Sequence, residues 1–204
     1  MGKRQSKLSQ ETLQELIEKT SFNEKEIQDW FKGFNKDCPN KVITFEKFQS
    51  IYCRFFPDGE VKKMVQLLFN AFDLDQDGLI SFKEFMIVLS ITSRGSIEEK
   101  LSWAFDLYDI NKEGFLSFVQ ICEIITNIQI MNGRQLDTIP VYLPVNRTEE
   151  LFNVLKKKNN ERISKEEFIG ALKTDQSTVD FLYVARSNSV RNPHFATSHL
   201  EFNF

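Results

Sequence analysis

Apolar residues recur at helical spacing along most of the 204-residue chain, and short polar segments separate them. One such stripe is formed by Val61, Met64, Val65, Leu68, Phe69 and Phe72. A second stripe is formed by Phe82, Phe85, Met86 and Leu89. Apolar residues three or four positions apart make one buried helix face. The pattern therefore predicts two helices joined by a polar loop at residues 73–84.

This helix, loop and helix pattern occurs four times. The loops begin at positions 36, 73, 109 and 156, which are 37, 36 and 47 residues apart. Each loop has an apolar residue at its eighth position: Ile43, Ile80, Leu116 and Ile163. Such residues can exchange main-chain hydrogen bonds across a short antiparallel ribbon. We predict an all-α fold of two paired lobes, with a short two-stranded β ribbon between the paired loops.

The second loop places oxygen-bearing side chains at the spacing that Ca²⁺ requires. Gly78 at position 6 permits the sharp turn of such a loop. The expected ligands are Asp73, Asp75, Asp77, the carbonyl of Leu79, Ser81 and Glu84. This is the calcium loop of an EF-hand, so the repeats predict four EF-hands.

The third loop, residues 109–120, is an impaired copy. Its candidate ligands are Asp109, Asn111, Glu113, the carbonyl of Phe115 and Ser117. Gln120 stands where a bidentate carboxylate is needed, and an amide supplies one oxygen and no charge. We expect weak Ca²⁺ binding here, with Mg²⁺ as the alternative occupant.

The first and fourth loops carry positive charge at ligand positions. Lys36 and Lys47 occupy positions 1 and 12 of the first loop. Lys156 and Lys158 occupy positions 1 and 3 of the fourth loop, and Glu161 replaces the glycine at position 6. Because ammonium groups repel a dication, we predict that neither loop binds metal.

The repeats divide the chain into an N-terminal segment (1–22), two EF-hand lobes (23–92 and 97–184) and a tail (185–204), with a long connector at residues 130–147. The N-terminal segment has one amphipathic helix at about residues 11–18. Asn23 and Glu26 form a capping-box pattern at the start of the next helix, and Phe22 and Ile27 form a hydrophobic staple around it.

Composition narrows the classes of function. The chain is 41% hydrophobic and 27% charged, with a formal net charge of −3, so neither disorder nor nucleic-acid binding is favoured. Cys38, Cys53 and Cys122 are widely spaced and predict reduced thiols. No catalytic spacing of nucleophile, base and acid occurs, and we predict that the chain is not an enzyme.

These segments together resemble the neuronal calcium sensor family, the group of recoverin, visinin-like proteins, hippocalcin and frequenin. The resemblance covers about residues 2–182. It rests on KDCP at 36–39, FQSIYCRFFP at 48–57, the intact second loop and TSRGSIEEKLSWAFDLYD at 92–109. It implies a cytoplasmic, reversibly membrane-associated sensor that regulates a receptor, channel, cyclase or kinase.

The resemblance also implies an apolar groove in the N-terminal lobe, which binds an amphipathic helix of a target protein or an acyl chain. The corresponding positions are Trp30, Phe34, Phe48, Ile51, Tyr52, Phe55, Phe85 and Leu89. Helical periodicity by itself predicts only core packing for each of them. Both interpretations remain open at this point.

The first residues fit an N-myristoylation pattern through Gly2 and Ser6, and the resemblance implies that Gly2 is acylated. A single myristoyl chain binds bilayers only marginally, with K of about 10⁴ M⁻¹. Lys3, Arg4 and Lys7 can add up to about 1 kcal/mol each on an anionic leaflet. The sequence therefore predicts reversible membrane attachment.

A constitutive adaptor or channel auxiliary subunit is the alternative, because three defective loops would leave its target binding insensitive to calcium. A pure calcium buffer is disfavoured, since one good loop gives little capacity. The apolar tail residues are candidates for a lid over the groove: Phe195, Leu200, Phe202 and Phe204.

Overall fold

The computed structural model of the chain describes residues 7–55, 62–131 and 142–173. Nine helices form within these ranges: α1 (Gln10–Lys19), α2 (Glu24–Asp37), α3 (Phe45–Phe55), α4 (Lys62–Phe72), α5 (Phe82–Arg94), α6 (Ile97–Tyr108), α7 (Phe118–Met131), α8 (Tyr142–Val154) and α9 (Lys165–Leu172). The strands there are β1 (Val42–Ile43), β2 (Ile80–Ser81), β3 (Phe115–Ser117) and β4 (Arg162–Ser164). The predicted fold class is confirmed. Among the described helices, none has the length and apolarity needed to cross a membrane.

Two ribbons join the loops that the repeat spacing pairs. β1 and β2 are antiparallel with Ile43 opposite Ile80, and β3 and β4 are antiparallel with Leu116 opposite Ile163. All four side chains are buried. Each ribbon thus combines main-chain hydrogen bonds with an apolar contact where two loops meet.

The start of α2 has both predicted features. Asn23 Oδ1 accepts a hydrogen bond from the Glu26 N–H at 3.0 Å, and Glu26 Oε2 accepts one from the Asn23 N–H at 2.9 Å. Phe22 and Ile27 on either side of this cap are buried, as a hydrophobic staple requires. The amphipathic helix expected before it spans Gln10–Lys19.

Polar contacts fasten the N-terminal helices to α5. Lys83 Nζ lies 3.1 Å from Glu15 Oε1 and joins the start of α5 to α1. At the other end of α5, Arg94 Nη2 lies 2.5 Å from Glu26 Oε1, and the guanidinium lies 4.3 Å from the centre of the Phe22 ring. These contacts hold the N-terminal helices against the helix that leaves the second loop.

One apolar core runs through both lobes. α4 packs against α6 and α7 of the C-terminal lobe, and the rings of Phe72 and Trp103 meet edge to face at 6.4 Å. α5 and α6 are joined at Gly95 and Ser96, inside the predicted division near residues 92–96. Because Phe72 ends α4 directly before the second loop, the loop and the contact between the lobes share one helix.

The connector predicted at residues 130–147 is shorter in the structure. α7 continues to Met131 and α8 begins at Tyr142, so Pro144 lies in the first turn of α8. Proline fits there because first-turn N–H groups have no partner within the helix. Gly2, Lys3, Arg4, the apolar tail and the side chain of Phe55 lie outside the described part of the chain.

Gly95 follows α5 at a position with no room for a β-carbon. A Cβ there would collide with the main-chain oxygen of Ile91. We expect Gly95→Ala to lower the free energy of unfolding by about 1–3 kcal/mol, because the backbone must shift. Gly33→Ala is the matched control: Gly33 lies in α2 with open space around it, so alanine should be neutral or stabilising. Urea unfolding measures both variants, and equal stability of the two would contradict the prediction.

Candidate metal centre

The second and third loops share one backbone turn. Residues at positions 4 and 6 are left-handed in both: Gln76 (φ 61°) and Gly78 (φ 84°) in the second loop, Lys112 (φ 54°) and Gly114 (φ 79°) in the third. Glycine at position 6 adopts this conformation without the steric penalty of a Cβ. Both loops therefore keep the bend that wraps ligands around a cation.

Three carboxylates converge in the second loop. Oxygen atoms of Asp73, Asp75 and Glu84 lie within 4.8 Å of one another. Asp73 and Glu84 are buried, whereas Asp75 is exposed. Like charges this close repel one another unless a cation neutralises them, and hard carboxylate oxygens suit Ca²⁺. The donor set therefore fits the ion that the sequence predicts.

Glu84 receives hydrogen bonds from both ends of the loop. Its Oε1 accepts from the N–H groups of Leu74 at 2.8 Å and Asp75 at 3.2 Å. Its Oε2 accepts from the N–H and hydroxyl of Ser81 at 2.8 and 2.7 Å. Burial raises the pKa of Glu84, but these hydrogen bonds outweigh it and leave the pKa below its ordinary value. Glu84 is therefore ionised at neutral pH.

The other predicted ligands follow the same loop. Asp77 lies outside the close carboxylate group, and its Oδ1 accepts a hydrogen bond from the Leu79 N–H at 2.8 Å. Asp77 is exposed, and Leu79 and Ser81 are half-buried. The structure thus brings three of the four predicted carboxylates together and leaves Asp77 at the loop surface.

Gln120 makes the same contact with Ser117 that Glu84 makes with Ser81, but without a charge. Its amide oxygen accepts hydrogen bonds from the N–H and hydroxyl of Ser117 at 2.9 and 2.7 Å. Asp109 is buried and accepts from the N–H groups of Glu113 and Gly114 at 3.0 and 2.7 Å. The position-12 side chain brings no negative charge to the loop, which supports the expectation of a weak site.

An ammonium group sits among the ligand positions of the fourth loop. Lys157 Nζ donates to the main-chain oxygen of Arg162, at position 7, at 2.6 Å, and lies 2.7 Å from Glu167 Oε2, at position 12. These two positions supply oxygen ligands in a calcium loop. The hydrogen bond from Lys157 holds the pKa of Glu167 below its ordinary value. From the sequence, the loss of metal binding is attributed to Lys156 and Lys158. In the structure, Lys157, which lies between them, contacts two of the ligand positions.

The first loop keeps only one of the two left-handed positions and lacks the ligands. Lys41, at position 6, adopts the left-handed conformation with φ 64°. Lys36 and Lys47 supply ammonium groups instead of carboxylates at positions 1 and 12. Cys38 is buried within this loop, and burial raises the pKa of its thiol. The two ends of this loop therefore do not match the ligand pattern of a calcium loop.

The positions of the predicted groove form one aromatic cluster. Phe85 lies at its centre, with ring centroids 5.8 Å from Trp30, 5.8 Å from Phe34 and 6.4 Å from Phe72. Buried members are Phe34, Phe48, Ile51 and Phe85, and half-buried members are Trp30, Tyr52 and Leu89. The structure therefore shows these residues as core, the arrangement that periodicity alone predicts.

Comparison with known proteins agrees with this geometry. A family model described as an EF-hand domain pair matches residues 39–91, which include the second loop. Neuronal calcium sensor 1 from Lymnaea stagnalis is 44% identical over 189 residues, 92% of this chain and 98% of that protein. The chain belongs to the neuronal calcium sensor family. The Aplysia californica protein of the same name is 45% identical over 189 residues, again 92% of this chain and 98% of that protein. Human recoverin is 38% identical over 165 residues, 79% of this chain and 82% of that protein.

Membership in the neuronal calcium sensor family confirms the resemblance and the prediction that the chain is not an enzyme.

Sequence reasoning does not single out Lys157 or Arg162 as residues of a candidate site. Arg162 forms an ion pair with Glu113 of the third loop. In the ribbon, position 7 of one loop lies opposite position 9 of its partner loop. This register is the signal that identifies Arg162. Lys157 lies at position 2, which has no ligand role, and the sequence gives no signal for it.

We predict that Glu84→Gln abolishes calcium binding in the range of roughly 10⁻⁷ to 10⁻⁵ M, because the bidentate carboxylate is lost. Glu99→Gln is the matched control. Glu99 caps α6 through Ser96, with Oε2 2.7 Å from the Ser96 N–H, much as Glu84 caps α5, but it lies outside the loops. Calorimetric titration should show the loss only for Glu84→Gln. Two micromolar sites in that variant would contradict the assignment.

Proposed function

We propose that the chain is a calcium sensor that binds Ca²⁺ mainly at the second EF-hand, exposes an apolar groove and regulates a membrane-associated signalling protein. The observation that carries this proposal is the convergence of Asp73, Asp75 and Glu84 in the hand whose second helix carries Phe85. Bound Ca²⁺ would supply two positive charges to these carboxylates. Family membership supports the sensing role.

Glu84 and Phe85 are neighbours in the first turn of α5, which couples the site to the aromatic cluster. A helical turn moves as one piece, so a displacement of Glu84 is passed to Phe85. The rings of Trp30, Phe34 and Phe72 pack against Phe85 and must then repack. Sensor EF-hands expose an apolar groove by a comparable swing of their helices.

The aromatic cluster suits the apolar face of an amphipathic helix. We place the target in the N-terminal lobe because the calcium-competent loop adjoins that cluster. Gln120 leaves the third loop without its position-12 carboxylate, and Lys156 and Lys158 stand at ligand positions of the fourth loop. A membrane-associated receptor, channel, cyclase or kinase is the class of target that we propose.

The N-terminus is the proposed membrane anchor, through N-myristoyl Gly2 with Lys3, Arg4 and Lys7 beside it. This anchor leads directly into α1. Lys83, next to Glu84, joins α1 to the start of α5 through Glu15 at 3.1 Å. A change at the second loop therefore has a short path to the anchored segment.

A second candidate function is that of a calcium-insensitive adaptor or channel auxiliary subunit. The observation in its favour is that the Lys157 ammonium group bridges Arg162 and Glu167, at positions 7 and 12 of the fourth loop. A C-terminal lobe fixed in this way could bind a target at any calcium level. The two functions differ in which lobe responds when the target binds. It is the N-terminal lobe for the calcium sensor and the C-terminal lobe for the adaptor.

We expect calcium together with a model amphipathic peptide to shift the indole N–H resonance of Trp30 and the amide resonance of Phe85. The indole N–H resonance of Trp103, which contacts Phe72 between the lobes, appears in the same spectrum and is compared with that of Trp30. In the Glu84→Gln variant these shifts should disappear. Perturbations confined to residues 151–172 would favour the adaptor instead.

Acylation requires a free amine on residue 2 and no side chain there, so we predict that Gly2→Ala releases the protein from membranes. Sedimentation with anionic liposomes, with calcium and with chelator, measures the bound fraction. Gln5→Ala is the control, because it changes the same segment and keeps the acylation pattern. Equal recovery of the native protein and Gly2→Ala on liposomes would eliminate the anchor.

A further inference from the structure

In each lobe, position 7 of one loop faces position 9 of its partner across the ribbon. Val42 of the first loop lies opposite Ser81 of the second, and Arg162 of the fourth lies opposite Ser117 of the third. Both serines belong to predicted ligand sets. The residue at position 7 therefore stands beside the metal loop of its neighbour, and it is apolar in one lobe and cationic in the other.

Arg162 reaches the third loop from this position. Its guanidinium forms an ion pair with Oε2 of Glu113, at position 5. Asn111 Nδ2, at position 3, donates to Glu113 Oε1 at 3.4 Å. Asp109 and Glu113 are the only acidic residues of this loop, so one of its two carboxylates is already neutralised by a cation from another loop.

The backbone of Arg162 is fixed independently of its side chain. It pairs with Ser117 in the ribbon, and its main-chain oxygen accepts a hydrogen bond from Lys157 at 2.6 Å. Lys157 also pairs with Glu167, at position 12, at 2.7 Å. The fold therefore places the backbone of Arg162, from which the guanidinium extends, beside the third loop.

The N-terminal lobe has no such cation at the corresponding position. Val42 is half-buried and brings no charge across the ribbon to the second loop. The two ribbons therefore differ at the crossing point, which carries an apolar residue in the N-terminal lobe and a cation in the C-terminal lobe.

We propose that the residue at position 7 of each metal-free loop sets the calcium affinity of its partner, and that Arg162 is a built-in competitor at the third loop. A Ca²⁺ ion that enters this loop must displace the Arg162 guanidinium from Glu113. The ion and the guanidinium, which are both positively charged, then remain close together. The side chains of Arg162 and Glu113 are 57% and 44% exposed, so solvent screening limits the effect. We expect a change in affinity of roughly two- to fivefold.

This inference goes beyond the proposed function, because it names a second cause for the weakness of the third loop besides Gln120. The test isolates that loop in a Glu84→Gln, Gln120→Glu double variant, titrated with CaCl₂ by calorimetry. Restoring the position-12 carboxylate should raise third-loop affinity at least about tenfold over Glu84→Gln alone. Adding Arg162→Val should raise it by a further factor of roughly two to five, and less at high ionic strength.

Two further substitutions make the result specific. Arg162→Lys keeps the charge and should give a smaller increase than Arg162→Val. Lys165→Gln removes another cation that the fourth hand directs at the third, but Lys165 pairs with Asp106 of α6 at 2.7 Å, outside the loop. Its effect should stay below about twofold. Equal gains from Arg162→Val and Lys165→Gln, or no gain from Arg162→Val in a folded protein, would overturn the proposal.

The reciprocal change tests the rule in the other lobe. In the otherwise native chain, Val42→Arg should weaken calcium binding at the second loop by a similar factor, whereas Val42→Met, which is long but uncharged, should not. An equal loss in both variants would indicate a steric effect and overturn the rule. The third-loop titration does not involve the second loop, so its failure leaves the proposed function intact. Absence of second-loop binding in the native chain would instead refute the proposed function.

Discussion

The antiparallel pairing of loops is the constraint on which the rest of the structure depends. Ribbons of two or three residues per strand hold Ile43 against Ile80 and Leu116 against Ile163, and all four side chains are buried. Two-stranded ribbons this short are unstable by themselves. They persist because the helices on both sides bury one shared core, and they determine which loop stands beside which. The pairing consequently places Arg162 of the fourth loop beside Ser117 of the third.

Position 12 of a loop is also the third residue of the following helix, so one side chain serves both metal and helix. Glu84 closes a capping box with Ser81 and receives N–H groups from the start of the loop. A cap of this kind contributes about 1 kcal/mol. Because those hydrogen bonds already favour the ionised carboxylate, metal binding requires no deprotonation there. Gln120 keeps the capping contact with Ser117 and loses the charge, which separates the two roles in the third loop.

Features set by neighbouring residues or by the repeat spacing could be predicted from the sequence: the loops, the capping box at Asn23, the staple at Ile27 and the pairing of Ile43 with Ile80. Features set by side-chain reach could not. Three consecutive lysines in the fourth loop look alike in sequence, and only the three-dimensional fold shows that Lys157 turns inward to Glu167. The core that joins the lobes through Phe72 and Trp103 also depends on helix packing that periodicity does not specify. The sequence also cannot distinguish a groove from a core, because a packed aromatic face and a binding face have the same helical spacing of apolar residues.

Lys157 gives the fourth hand a cation that cannot diffuse away. A tethered group has an effective concentration set by its linkage, whereas a free ion occupies a site only according to its concentration in solution. The contacts of Lys157 with Arg162 and Glu167 are therefore immune to dilution and to chelators. The fourth hand therefore carries its own counter-ion for Glu167, the residue at the position that Glu84 holds in the second loop.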